Sequence, residues 1–325
     1  MSEKNAFAVA TRRSPLALAQ ARMVQRMIAK AIGHDPNTAN NDAPIRDFVS
    51  SGDQNLTGSL AEIGGKGLFT KEIEDALLSG EARFAVHSMK DMPAESPPGL
   101  ITAAIPQRED PRDVFISPNS KTPWTLAEGA AIGTASVRRL AQTLSRRPDL
   151  KPVTLRGNVG TRLKKLERGE ADATFLALAG LRRLGLEQHA TYILPPEEML
   201  PAVGQGALCV QTREDDEEAR AIAAKFNCAE TEGCVAVERA FLAGLDGSCR
   251  TPIAGLAVIE NGEVWFRGEL LSLDGETQFK IERKFPYTAN NIKQAVETGA
   301  AAAIEIRERA GVNFFAVLTN EGSRG

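Results

Sequence analysis

The chain has 325 residues, of which 42% are hydrophobic and 25% charged, as in an ordinary soluble globular protein rather than a disordered one. Its 39 basic and 42 acidic side chains nearly balance, which excludes a general attraction of the whole surface to nucleic acid. The chain is too long for one ordinary core, so two or three domains are expected. No apolar run approaches the roughly 20 residues that a membrane helix needs.

The cysteines and histidines predict neither a zinc site nor a disulfide framework. The four cysteines show no C-x-x-C spacing, and the three histidines lie far apart in the sequence. The N-terminal M-S-E-K-N leads straight into a predicted strand without the architecture of a signal peptide. We therefore expect a cytoplasmic protein with free thiols, no bound metal and no membrane segment.

Strand and helix patterns alternate up to about residue 211. The predicted strands are 7–10, 45–49, 84–86, 130–133, 153–155, 173–178 and 207–211, and the predicted helices are 15–32, 68–78, 137–144, 159–166 and 181–184. Ser14 followed by Pro15 is a strong helix start. Alternation with short links predicts parallel sheets covered by helices on both faces. Proline-rich crossovers near 106–111 and 195–201 indicate two α/β lobes with a cleft between them.

The pattern changes after residue 228. A helix is predicted at 235–245, three strands at 253–260, 263–273 and 278–285, and a long helix at 290–310. Asn261-Gly262 and Asp274-Gly275 separate the strands, and such pairs are strong hairpin signals. We predict a first lobe of residues 1–106 plus 207–227, a second lobe of 107–206, and a C-terminal α+β domain of 228–325 with a three-stranded antiparallel sheet.

Polar side chains crowd the end of the strand predicted at 84–86. His87, Ser88, Lys90 and Asp91 follow it within five positions, where open α/β sheets bind their ligands. Asp91 is either a surface ion-pair partner of Lys90 or a carboxylate that stabilises a developing cation. His87 is more often a buried core histidine than a base in such a position. The glycine-rich stretch 50–67 is either a mobile lid carrying Lys66 or a plain connector.

Positive charge concentrates between residues 134 and 183, a segment that contains twelve arginines and lysines but only four acidic residues. Arg138 and Arg139 follow G-T-A-S at one predicted strand-to-helix turn, and Arg156 and Arg162 bracket G-N-V-G at the next. Arg12 and Ser14 hold the corresponding positions in the first lobe. These arginines either lie on solvent-exposed helix faces or use their guanidinium groups to bind a ligand with several anionic groups.

One cysteine lies in a setting that favours reactivity. Cys249 is flanked by Gly247 and by Arg250 in a predicted tight loop, and a neighbouring cation favours the nucleophilic thiolate. It is therefore a candidate for covalent attachment of a group. Cys209, within an apolar strand, is typical of a small buried hydrophobe.

Taken together, these strings closely resemble the hydroxymethylbilane synthase family, also called porphobilinogen deaminase. They include A-T-R-R-S-P-L-A-L, G-G-K-G-L-F, A-V-H-S-M-K-D-M-P, R-E-D-P-R-D, G-T-A-S-V-R-R, L-R-G-N-V-G-T-R, A-G-L-R-R-L-G-L, L-P-A-V-G-Q-G-A and G-S-C, in the family's order across nearly the whole chain. Ala135 departs from the family's more common serine.

The resemblance implies a transferase that condenses four porphobilinogen molecules head to tail into linear hydroxymethylbilane and releases ammonia. It implies two periplasmic-binding-protein-like lobes and a dipyrromethane cofactor bound through a thioether at Cys249. Asp91 matches the family's catalytic aspartate. Positions matching cofactor contacts are Ser88, Lys90, Asp91, Thr134, Ser136, Arg138 and Arg139; those matching substrate contacts are Arg12, Ser14, Arg156, Arg162 and Arg183. Lys66 lies at the edge of the family's mobile loop, and a monomer is expected.

Two readings from other classes remain open at this stage. A non-catalytic two-lobed binding protein that clamps an anionic metabolite would share the predicted lobes, although the setting of Cys249 argues against it. A nucleic-acid-binding module would use the arginine-rich lobe, but aromatic residues make up only 5% of the chain, which leaves few stacking platforms. We therefore expect porphobilinogen rather than nucleic acid as the partner.

Overall fold

The computed structural model describes residues 7–49, 70–93, 96–245, 247, 251–289 and 291–321. These residues form two compact units. Unit 1 contains the described residues up to 109 together with 207–232, and unit 2 contains 110–206 and those from 233 onward.

Thirteen strands and nine helices follow one another in the described residues. The strands are β1 Val9–Arg12, β2 Ile45–Phe48, β3 Phe84–Ser88, β4 Leu100–Ala104, β5 Asp113–Ile116, β6 Ala131–Gly133, β7 Lys151–Val153, β8 Ala173–Ala177, β9 Tyr192–Ile193, β10 Leu208–Arg213, β11 Ile253–Glu260, β12 Glu263–Leu271 and β13 Gln278–Pro286. The helices are α1 Pro15–Ala31, α2 Ala39–Asp42, α3 Lys71–Leu78, α4 Val137–Leu144, α5 Val159–Glu167, α6 Leu178–Leu184, α7 Glu217–Ala224, α8 Ala229–Gly244 and α9 Ile292–Glu321.

Unit 1 is built on a five-stranded sheet in the order β2-β1-β3-β10-β4. β1 runs parallel to β2 and β3, whereas β10 runs antiparallel to β3 and β4. Phe84 and Val86 pack into one apolar cluster and Ala85 into another, so helices cover both faces of the sheet. As predicted, α1 begins with Pro15 at its first turn, and the Ser14 hydroxyl accepts a hydrogen bond from Ala17 N.

Unit 2 contains a second five-stranded sheet and the C-terminal sheet. The order of the first is β7-β6-β8-β5-β9, with β6 parallel to β7 and β8 and with β5 antiparallel to β8 and β9. The C-terminal sheet is the antiparallel meander β11-β12-β13, and Phe241 of α8 packs against Phe266 with ring centroids 5.2 Å apart. The predicted α/β class with a C-terminal three-stranded antiparallel sheet is confirmed.

Several predicted elements were wrong in extent or were missed. The strands β4, β5 and β9 and the helices α2 and α7 were not predicted; for the strands, the reason is that short crossover strands carry little periodicity of their own. The strand predicted at 153–155 lies at Lys151–Val153 and contains Pro152, which is tolerated because β7 is an edge strand. Gly311 within α9 has a non-helical backbone, with φ +75° and ψ 161°, so a helix does end at the predicted residue 310, and the helical segment that follows it to Glu321 was not predicted.

The turn between β12 and β13 offers a prediction about stability. Gly275 has a φ of +78°, and a methyl group there would lie 2.6 Å from Ser145 N and closer still to Ala141 O, at the end of α4. Gly262, in the preceding turn, has a φ of +79° but nothing within 4 Å. We expect Gly262→Ala to lower the free energy of unfolding by about 1 kcal/mol, through backbone strain alone. Gly275→Ala should cost about 3 kcal/mol because overpacking is added.

Urea denaturation of both variants measures this difference. Equal losses for the two variants would show that the β12–β13 turn does not press on α4 in solution.

Candidate functional site

An open pocket in unit 1 lies at the carboxyl ends of two adjacent parallel strands. Arg12 ends β1 and Ser88 ends β3, and both strands lie side by side in the sheet. The pocket and the open solvent at its mouth together offer about 410 Å³ of empty space. Its lining residues are Arg12, Ser14, Leu16, Ala17, Gln20, Thr70, Val86, His87, Ser88 and Asp91. Four of the residues predicted for the site, Arg12, Ser14, Ser88 and Asp91, therefore line one pocket.

The chain bends at the end of β3 in a way that presents Asp91. A single 3-10 turn, Met89–Asp91, follows Ser88, and Met92 returns to extended backbone before Pro93, as the residue before a proline prefers. Met89 is buried and anchors the turn, whereas Lys90 is half-buried and Asp91 exposed. The Asp91 carboxylate is thus available to a molecule that enters the pocket, which Arg12 also lines.

Two further pocket residues, Gln20 and His87, were not among the predicted site residues. Gln20 is 3% exposed, and its amide donates a hydrogen bond of 2.9 Å to the Ser88 hydroxyl. The only sequence signal for Gln20 is a polar residue on the buried face of an amphipathic helix. His87 is 5% exposed, and burial lowers its pKa to about 4, although the Gln211 side chain raises it and the Arg12 charge lowers it further. A neutral, buried imidazole agrees with the core-histidine alternative rather than with a base.

In unit 2, the predicted polar residues follow three neighbouring parallel strands. Thr134 follows β6, and its hydroxyl accepts a hydrogen bond from Ser136 N at 3.1 Å. Ser136 is the N-cap of α4 and accepts from Arg139 N. Arg156 follows β7, Arg162 lies in α5, and Arg183 lies in α6 after β8. Because these strands are parallel, all the turns lie at one edge of the sheet, as predicted.

Two of these arginines also hold the local backbone. Arg162 Nε donates to Gly157 O at 2.8 Å, and Arg183 Nη2 donates to Gly206 O at 2.6 Å. Both side chains are half-buried, as is Arg156. Their guanidinium groups are therefore partly fixed by the fold and are not loose cations on solvated helix faces.

Arg138 and Arg139 are buried, each 4% exposed, and both pair with Asp113, which is fully buried. Arg138 Nη1 lies 2.8 Å from Asp113 Oδ2, and Arg139 Nη2 lies 2.7 Å from Oδ1. Burial raises the pKa of Asp113, but the two guanidinium groups outweigh it and hold this pKa well below its ordinary value. Burial lowers the pKa of Arg138, and Asp113 offsets part of that effect.

Sequence reasoning gave no role to Asp113. The available signal was its position at the end of R-E-D-P-R-D, directly before the apolar run that forms β5. A carboxylate at the start of a fully buried strand needs a cationic partner, and the two adjacent arginines were the obvious candidates.

Two predicted residues, Lys66 and Cys249, lie outside the described residues. The described cysteines Cys209, Cys228 and Cys234 are free thiols. Within the described ranges, no group of three histidine, cysteine, aspartate or glutamate side chains is arranged to hold a metal ion. None of the helices in those ranges has the length and apolar character needed to cross a membrane.

Comparison with known proteins gives consistent matches over the chain. The model of the porphobilinogen deaminase dipyrromethane cofactor binding domain matches residues 7–221, and that of the porphobilinogen deaminase C-terminal domain matches residues 233–308. A nutrient-binding protein from Burkholderia cenocepacia, solved with methionine bound, is 13% identical with a TM-score of 0.42, covering 70% of this chain and 93% of its own.

Curated relatives are similar over almost their whole length. Porphobilinogen deaminase of Nitrobacter winogradskyi is 48% identical over 310 residues, which cover 95% of each chain. The protein of the same name from Phenylobacterium zucineum is 49% identical over 308 residues, covering 93% of this chain and 96% of the relative. The one from Caulobacter vibrioides is 47% identical over 316 residues, covering 96% and 98%. The chain therefore belongs to the porphobilinogen deaminase family.

Proposed function

We propose that Asp91 is the catalytic carboxylate of this chain, and that the arginines at its sheet edges hold the carboxylate arms of the pyrroles. The chain is a transferase of tetrapyrrole biosynthesis that uses a dipyrromethane cofactor. It condenses four porphobilinogen molecules head to tail into linear hydroxymethylbilane and releases ammonia. The proposal concerns which residues carry out this reaction.

The position of Asp91 is the observation that carries the proposal. It is an exposed carboxylate in a pocket whose other polar lining includes the Arg12 guanidinium and the hydroxyls of Ser14 and Ser88. A pyrrole offers one N–H donor, which needs an acceptor, and the acetate and propionate arms of porphobilinogen need cationic or hydroxyl donors. Asp91 supplies the acceptor, and the Arg12 guanidinium and the two hydroxyls supply the donors.

The dipyrromethane group fits the residues present by the same chemistry. Its two pyrroles bring two N–H donors and four carboxylates, so it calls for one acceptor and many guanidinium forks. We propose that Asp91, Ser88, Lys90, Thr134, Ser136, Arg138 and Arg139 hold this group and that Cys249 binds it through a thioether. When bound, the group supplies the pyrrole carbon to which the substrate is joined.

The roles of the chain's own side chains follow from charge. As ammonia leaves the substrate, positive charge develops on its pyrrole ring. The Asp91 carboxylate stabilises that charge and accepts a hydrogen bond from the pyrrole N–H. Substrate arms are held by Arg12, Ser14, Arg156, Arg162 and Arg183, so that the reacting carbons are kept in register. From its place in the sequence, at the edge of the stretch predicted as a lid, Lys66 is proposed to act with these side chains.

We further propose the organisation in which this chain works. Residues 1–106 plus 207–227, 107–206 and 228–325 act as three domains, and three separate sheets in the described residues support this division. The near balance of charge argues against binding to nucleic acid, and the free thiols of the described cysteines favour a cytoplasmic location. We propose that the chain acts as a monomer.

Arg156→His tests whether this arginine binds the carboxylates of the elongating pyrrole chain. Imidazole cannot form the bidentate pair that guanidinium makes with a carboxylate, so we expect elongation to stall and product release to fall about 10-fold or more. Intact mass spectrometry of the enzyme during turnover should then show partly elongated chains that accumulate. Arg168→His, at the exposed end of α5, is the matched control and should turn over normally. Release of full-length product at the normal rate by Arg156→His would remove this arginine from substrate handling.

A further inference from the structure

The buried carboxylate of Asp113 contacts both arginines that are proposed to hold the cofactor. Arg139 reaches Asp113 Oδ1 through Nε at 3.1 Å and Nη2 at 2.7 Å, while Arg138 reaches Oδ2 through Nη1 at 2.8 Å. Oδ1 of Asp113 is hydrogen-bonded to Arg139, whereas Oδ2 forms a close ion pair with Arg138 but makes no hydrogen bond with any described residue. The arrangement fixes the position of one arginine relative to the other.

Backbone carbonyls hold the other side of the same pair. Arg139 Nη1 donates to Phe175 O at 2.9 Å, and Arg138 Nη1 donates to Leu200 O at 2.9 Å. Gln205 donates to Asp113 Oδ1 at 2.9 Å and to Pro111 O at 2.7 Å, which fixes the carboxylate itself. Strands β5 and β8 and the segment before β10 therefore all brace the two guanidinium groups.

This bracing is incomplete at Arg138. Its Nε is buried and makes no hydrogen bond with any described residue. Two buried guanidinium groups share the single carboxylate of Asp113; the charge on Glu269 also raises the pKa of Arg138, but less than Asp113 does. A buried donor without a partner is costly.

We propose that Asp113 is a positioning residue that sets Arg138 and Arg139 for the carboxylates of the dipyrromethane group before that group is attached. This inference rests on the function proposed above for the two arginines. Asp113 itself does not touch the ligand. Its effect comes from holding two long, otherwise flexible side chains in one geometry, so that little conformational freedom remains to be lost when the ligand binds.

Asp113→Asn tests the proposal, because it removes the charge and half of the acceptor capacity while keeping the shape. Asp216→Asn is the matched control: Asp216 is also a buried aspartate, pairs with Arg83 at 2.7 Å and caps α7, but has no part in the proposed site. Each variant is expressed as the full chain. The thermal midpoint, the fraction of chains that carry the added mass, KM and kcat are then compared.

We expect both variants to lose thermal stability. Asp216→Asn should still carry the added mass on nearly every chain, whereas the loaded fraction of Asp113→Asn should fall at least 10-fold. In the chains that are loaded, kcat for Asp113→Asn should fall with KM changed less than twofold, because the primer is misplaced while the substrate arms remain held. Loading and kcat equal to those of Asp216→Asn would overturn the proposal.

Gln205→Met covers the case in which Asp113→Asn does not fold. It removes the amide that donates to Asp113 Oδ1 and to Pro111 O but leaves both ion pairs, and we expect a loaded fraction three- to tenfold below that of the unaltered chain. Normal loading of Gln205→Met beside an unfolded Asp113→Asn would mean that Asp113 serves the fold alone. If the unaltered chain itself carried no added mass, the proposed cofactor function would be wrong, and that result is distinct from a failure of the Asp113 proposal.

Discussion

Asp91→Ala is expected to give a folded protein whose kcat is at least 10²–10³-fold lower, about the loss seen when a preorganised charge-stabilising group is removed from an active site. The physical reason is the developing positive charge on the substrate pyrrole, for which Asp91 is the carboxylate on the pocket wall. The fold should not suffer, because Asp91 is exposed and surface substitutions usually change the free energy of unfolding by less than about 0.5 kcal/mol. Steady-state kinetics and a thermal melt measure both effects.

Asp75→Ala provides the comparison for that experiment. Asp75 is an exposed aspartate of unit 1 that pairs with Lys71 at 2.8 Å on α3, and we expect the loss of this surface pair to leave kcat unchanged. Asp91→Asn separates charge from shape, since the amide can still accept a hydrogen bond from a pyrrole N–H but carries no negative charge. Near-normal turnover by Asp91→Ala would remove Asp91 from its proposed role.

Intact mass should reveal the covalent group directly. We expect the purified chain to be heavier than its sequence by two linked pyrrole units, and Cys249→Ser to lack this addition completely. The effect is all or none, because an alcohol at this position cannot supply the thiolate that forms the thioether. Activity should disappear with the mass.

Cys228→Ser is the suitable control, since Cys228 is a half-buried free thiol in the sequence before α8. It should keep both the added mass and the activity. A fully active unaltered chain with the mass of its bare sequence would contradict the cofactor assignment. An added mass that persists in Cys249→Ser would move the attachment to another residue.

The positions of the site residues at the carboxyl ends of the strands were predictable because short sequence patterns indicate them. A buried strand followed by polar residues at Ser88 and Asp91, or by Thr134 and Ser136, reports the carboxyl edge of a parallel sheet without any knowledge of tertiary contacts. The Ser14-Pro15 helix start and the Asn261-Gly262 turn were equally local, and both are confirmed.

Long-range pairing was the part that local signals could not give. Asp113 contacts Arg138 and Arg139, which lie some 25 residues further along the sequence, and no periodic pattern predicts such a contact. The short strands β5 and β9 were missed for a related reason: their antiparallel pairing is specified by neighbouring strands and not by their own four and two residues. The pKa of His87 depends on complete burial, which the sequence only suggested.

The place of β10 in unit 1 has a consequence for how the protein is made. β10 separates β3 from β4 in the sheet, although about a hundred residues of chain lie between β4 and β10 in sequence. A nascent chain on the ribosome cannot complete this sheet until Arg213 has emerged, and β3 and β4 expose unpaired edges until then. The sheet of unit 1 is therefore completed late in synthesis, although most of its strands come first in the sequence. Truncated products that stop before residue 208 should be prone to aggregation.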